Sequence, residues 1–199
     1  MRLTASLRKE THEESDQEKV KTTGHGLYFI KNGTTYSDRA LLYQKTPFLD
    51  DHPEDFTKAI ESYNQALTYL IHEPNVASTT YLYKVATYGH TEEYQKALET
   101  AQEWHAFIEK HFEGEAKYEH LPYAILVQGK MHEYLQDAST AISFYEEELG
   151  VLEKEAADDK ESKAYKLLQK EIRKAISKIE HNEAREEMQR LQRQIEYFF

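Results

Sequence analysis

The run Phe56-Thr57-Lys58-Ala59-Ile60-Glu61-Ser62-Tyr63-Asn64-Gln65-Ala66-Leu67 settles the fold class. Its apolar and small residues Phe56, Ala59, Tyr63 and Ala66 are spaced 3, 4 and 3 apart. That is the period of one helix face, not the alternation of a strand. The same spacing returns at Tyr94, Ala97, Ala101 and Trp104, and again at Ala138, Ala141, Tyr145 and Glu148. Ahead of each run stands a triplet with spacings of 4 and 3: Tyr36, Ala40, Tyr43; then Tyr81, Val85, Tyr88; then Ile125, Gly129, His132. A small residue on each of two helices lets their backbones approach, and large residues on either side fill the remaining groove. One such pair cannot bury its apolar face alone, so pairs are expected to stack.

This pattern resembles the tetratricopeptide repeat (TPR) family. The family has a large residue, Gly or Ala four later, an aromatic three later, and an Ala twelve past the small residue. Val85 to Ala97 and Gly129 to Ala141 are both 12 apart. The match Phe56-x2-Ala59-x3-Tyr63-x2-Ala66-Leu67 is the most specific, and the resemblance covers about residues 36–149. It implies an all-α chain: an α-solenoid of antiparallel helix pairs, about three TPR-like repeats, with a long C-terminal helix. There are departures. Ala40 to Ala59 is 19, with the excess at 46–52 ahead of Pro53, a residue suited to a helix start. Ala59 to Ala97 is 38 and Ala97 to Ala141 is 44, against roughly 34 in the standard repeat. Breaks are therefore expected near Pro74-Asn75 and from Gly114 to Pro122. Glu148 stands where a small residue belongs. An irregular helical bundle, with Tyr and Ala merely core, is the alternative.

Residues 1–23 are polar and read as a flexible arm, disordered or loosely helical, 24–150 as the TPR-like helical domain, and 151–199 as C-terminal capping or oligomerisation helices. Within 27–36, Asn32-Gly33 between aromatic and β-branched residues signals a hairpin. The competing reading is a short helix closed by Gly33 in a left-handed cap. Near the end, Tyr165, Leu168, Ile172, Ala175 and Ile179 form one apolar stripe, and Ala184, Met188, Leu191, Ile195 and Phe198 form a second, out of phase with the first. A strict heptad keeps phase. This region therefore reads as one helix docking on two surfaces or as two helices, with the second stripe available for a homo-oligomer.

Composition narrows the function. With 7 Gly, 4 Pro and no Cys in 199 residues, helices are favoured, and disulfides, thiolate catalysis and Cys-bound zinc are excluded. No run approaches the roughly 18 apolar residues of a membrane helix, and the polar start has no apolar core of a signal peptide. No membrane association and a cytoplasmic location are the expectations. Net charge is −11, yet residues 160–199 carry ten Lys/Arg and seven Asp/Glu, leaving an acidic body. Such a body repels phosphate backbones, so no nucleic-acid partner is expected.

Catalytic chemistry is not indicated. There are ten His but no His-Glu-x-x-His, and His105 and His111 are six apart, pointing away from each other on a helix. These read as exposed or groove histidines and give no metal site. Glu146-Glu147-Glu148 and Asp158-Asp159 read as solvated faces. Gly24-x-Gly26 follows no strand and lacks a third Gly. No cofactor and no enzymatic activity are expected. Function falls instead to a groove that the family resemblance implies, lined by the first helix of each pair. It would hold Thr79, Leu82, Ala86 and Gly89 in the second pair, and Tyr123, Leu126, Lys130 and Glu133 in the third. The candidate partner-binding residues are Leu82, Ala86, Tyr123, Leu126, Lys130 and Glu133. TPR clamps for acidic chaperone tails carry several Lys, Arg and Asn there, and that cluster is missing. The expected function is a non-catalytic adaptor holding a protein partner's peptide or helix. A peptide-sensing regulatory TPR protein and a small helical enzyme are the alternatives.

Overall fold

The computed structural model describes residues 2–45, 54–135, 138–155, 166–167 and 169–182, with side chains over 18–42, 54–135, 138–154, 166–167 and 169–182. The described residues form helices and short turns, with no strand among them. Two compact units divide the chain, Met1–Glu92 and Glu93–Phe199.

Unit 1 holds α1 (Arg2–Lys45), α2 (Glu54–Tyr69) and α3 (Pro74–His90). The expected period is realised in α2, where Phe56, Ala59, Tyr63 and Ala66 are all buried. Each large side chain so buried contributes roughly 1.5–3 kcal/mol. Residues 27–36 correct both local readings. They form neither a hairpin nor a capped short helix but the middle of the 44-residue α1. Gly33 takes no positive φ; its use is close approach. A Cβ there would collide with the ring of Tyr63, and one at Gly26 would collide with the side chain of Leu70. Gly26 and Gly33 are seven residues apart, two helical turns on one face. Packing against α2 thus outweighs the turn preference of Asn-Gly. The 46–52 excess lies outside the described residues. Pro74 opens α3 at the expected break, where its missing N–H costs nothing.

Unit 2 holds α4 (Tyr94–His111), α5 (Gly114–Leu135), α6 (Ala138–Glu155) and a further helix, α7, over 169–182. Along α4 the expected residues Ala97, Ala101 and Trp104 are buried and Tyr94 is half-buried, while Ile108 extends the stripe four residues further. Phe112 ends α4, and Gly114 at φ 55° starts α5 in the left-handed region that glycine enters without strain. The expected break does not extend to Pro122, which lies inside α5 and withholds one N–H from the helix ladder. Gly129 is buried under the ring of Tyr145 from α6, so closely that a Cβ would overlap it. From α7, Ile172 and Ile179 are buried, while Arg173 and Gln169 reach Glu153 of α6 at 3.4 and 3.5 Å. The second C-terminal stripe, 184–198, lies outside the described residues.

The central residues of the three triplets, Ala40, Val85 and Gly129, are all buried, as are Ala59, Ala97 and Ala141.

Candidate binding surface

On α3, Ala77, Ser78, Thr80, Val85 and Thr87 turn inward. The opposite side carries Thr79 and Ala86, both exposed, with Leu82 and Gly89 half-buried between them. A Cβ at Gly89 would meet nothing within 4 Å. The positions proposed for the second pair therefore form one open, uncharged stripe in unit 1.

In unit 2, α5 buries Leu121, Ala124, Ile125, Gln128 and Gly129. Its outer side carries Tyr123, which is 56 % exposed, and Tyr134, at 52 %. Tyr123, Lys130 and Tyr134 step by 7 and 4 and so share one line along the helix. Leu126 and Glu133 flank that line and are half-buried. Lys130 Nζ donates to Glu133 Oε2 at 2.7 Å and sits 4.6 Å from the centre of the Tyr134 ring. Tyr134 in turn stacks on Tyr94 of α4, with ring centres 4.6 Å apart. Lys130 is thus held between a carboxylate and an aromatic face. Below this stripe, Tyr145 Oη donates to the Leu126 carbonyl at 3.0 Å. Burial, with the negative charge of Glu133, pushes the Tyr145 phenol up to about 12. The six candidate residues divide between the units, Leu82 and Ala86 in the first and the other four in the second.

Sequence spacing missed a polar cluster in unit 1. Asp55, in the first turn of α2, is wholly buried. Arg39 of α1 grips it with two charge-assisted bonds, Nε to Oδ2 at 2.5 Å and Nη2 to Oδ1 at 2.6 Å. Lys58 Nζ stands 3.6 Å from Oδ1. Both cations lie over the Tyr36 ring, at 5.4 and 5.9 Å. The bidentate fork and the positive end of α2 compensate a carboxylate taken out of water. Both carboxylate oxygens of Asp55 are held by Arg39, so the cluster ties α1 to α2.

Two histidines of unit 2, His120 and His132, pack against aromatic rings. His132 lies 5.2 Å from Phe144, its Nδ1 buried without a hydrogen-bond partner. His120 lies 4.3 Å from Phe112, and burial lowers its pKa against the opposing pull of Glu119. His105 Nδ1 is 3.1 Å from Gln128 Nε2. Among the described residues no three His, Asp or Glu side chains converge as a metal-ligand set. No described helix is long and apolar enough to cross a membrane. A cleft of about 520 Å³ lies along α1, lined by Lys19, Val20, Thr23, Gly24, Leu27 and Glu73. No model of a known protein family matches the chain, and comparison with characterised proteins finds no match either.

Proposed function

We propose that the protein is a non-catalytic, TPR-like adaptor: an α-solenoid of antiparallel helix pairs that binds a peptide or helix of a partner protein. The single observation that carries this reading is the seating of Gly129 under Tyr145. It joins the small residue of one helix to the aromatic of the next at the spacing the family resemblance implies. The contacts of Gly26 with Leu70 and Gly33 with Tyr63 support antiparallel pairing, because later positions on α1 meet earlier ones on α2. Apolar or aromatic side chains left open on α3 and α5, notably Ala86 and Tyr123, support a binding role, since solvent exposure of such groups favours a covering partner. The reading includes a cytoplasmic location, no cofactor, no nucleic-acid partner and self-association through the C-terminal stripe at 184–198.

The test is affinity purification of the intact chain from its native cell, with a Tyr123→Ala variant in parallel. One or more co-purifying proteins should be present with the parent chain and depleted at least fivefold with the variant, while melting is unchanged. Equal recovery would refute the assignment of the α5 stripe. For self-association, sedimentation should show oligomers that truncation after Asn182 abolishes. A chain that stays monomeric at high concentration would refute it.

A further inference from the structure

The outer stripe of α5 carries no information on its occupant by shape alone, but charge does. Residues 93–155 hold five Lys/Arg against fourteen Asp/Glu. An approaching anionic segment is repelled by this unit and a cationic one is drawn to it. The unit already accommodates one segment of that kind. Over 169–182, α7 carries Lys170, Arg173, Lys174 and Lys178 against Glu171 and Glu180. It docks by burying Ile172 and Ile179, seven residues apart, and sets Arg173 against Glu153 of α6. Aliphatic residues on one face and cations on its flanks are therefore a chemistry that unit 2 accepts beside α6.

The α5 stripe offers the same terms. Tyr123 and Tyr134 present open aromatic surface, Leu126 adds a half-buried aliphatic, and Glu119 is exposed one turn before Tyr123. Lys130, the cation in the stripe, is matched by Glu133 at 2.7 Å, so it does not oppose a basic partner by an unscreened charge.

We propose that the Tyr123–Lys130–Tyr134 face of α5 binds a cationic amphipathic helix of a partner protein. Its aliphatic residues, spaced seven apart, lie on Tyr123 and Leu126, and its Lys or Arg side chains reach the exposed carboxylate of Glu119. This assignment rests on the adaptor reading above and names the class of its partner.

The experiment uses the full chain and two fluorescent peptides. One has the sequence of residues 166–182, with five Lys/Arg and two Glu; the other has those five cations replaced by Glu. The cationic peptide is expected to bind at least tenfold more tightly, and to lose affinity as salt is raised. Tyr123→Ala should weaken it at least fivefold and Tyr123→Phe should restore it. Lys130→Ala should leave it equal or tighter. Should the cationic peptide instead exchange with α7, Tyr123→Ala would leave affinity unchanged and Glu153→Gln would alter it, which overturns the proposal. If the Glu-substituted peptide binds equally well and depends on Tyr123, the charge assignment falls while the adaptor reading stands. If neither peptide depends on Tyr123, both assignments of this face fall.

Discussion

In unit 1 the ring of Tyr63 lies on Gly33; in unit 2 the ring of Tyr145 lies on Gly129. The two contacts differ in what supports them. Around Gly33, α1 is held at three points: Leu70 on Gly26 two turns before it, Tyr63 on Gly33 itself, and Arg39 on Asp55 two turns after it. Burial pushes the Tyr63 phenol up, and a hydrogen bond with Thr87 opposes that rise. Around Gly129 there is a single glycine contact, reinforced by the Tyr145–Leu126 hydrogen bond and by Phe144 beside the ring, itself packed on His132. The same small-under-large grammar is thus distributed in one unit and concentrated in the other.

The largest effect should come from filling these slots. Gly129→Leu is expected to destabilise by about 3 kcal/mol through overpacking, and Gly33→Leu by about 2 kcal/mol, because its flanking contacts keep α1 in register. Denaturant unfolding of the two variants measures the order, and the reverse order would break the comparison. Next, Arg39→Ala should cost about 2 kcal/mol. Asp55 is fully buried, but Arg39 is 45 % exposed and Lys58 remains at 3.6 Å, so the loss is smaller than for a fully enclosed pair. Arg39→Ala melting like the parent would mean that the cluster does not anchor α1.

Tyr145→Phe keeps the ring on Gly129 and removes the bond to the Leu126 carbonyl, a loss of about 1 kcal/mol. It also carries a pH signature. The phenol is raised from 10.0 to about 12 by burial and by Glu133, so the folded state retains a proton that the unfolded state releases. The stability this gives is present in full below pH 10 and is lost as pH rises towards 12. Tyr145→Phe should flatten alkaline unfolding over that window, and an unchanged profile would assign the fall to other tyrosines.

The smallest expected effect has the opposite sign. Gly24 is also in α1, yet a Cβ there meets nothing within 4 Å. Gly24→Ala should stabilise by about 0.5–1 kcal/mol through helix propensity alone. A loss instead would mean that Gly24 is covered in solution, and the cleft bounded by Val20 and Leu27 would be the place to look.

How far these features could be read from sequence follows their range. The run Phe56, Ala59, Tyr63, Ala66 was legible because its signal is a period within one helix. Gly33 was misread because Asn-Gly states a local preference, while its actual use depends on Tyr63, thirty residues later. Gly26 and Gly33 at a seven-residue interval were the available clue. Pro122 was over-read for the same reason, since a breaker lowers helix propensity but a helix packed on both sides absorbs it. Arg39 and Asp55 gave no signal, because charged residues 16 apart across a helix end have no period to join them. On α5, the sequence could name Tyr123, Leu126, Lys130 and Glu133 as neighbours on one side of a helix, because their spacing lies within that helix. Tyr134 and Tyr94 were not legible as a pair, because their stacking joins two helices.

Within each unit, the helices in contact are neighbours in the chain: α1 with α2, α2 with α3, α4 with α5, α5 with α6, apart from a small touch of α1 on α3. Such a topology asks for little loop closure before contacts form. Each added helix finds its packing partner already made, a topology that favours fast folding in the order of synthesis. On the ribosome, Met1–Glu92 has all its helices before α4 begins to emerge, and Gly26 and Gly33 of α1 can be covered only once α2 has left the exit.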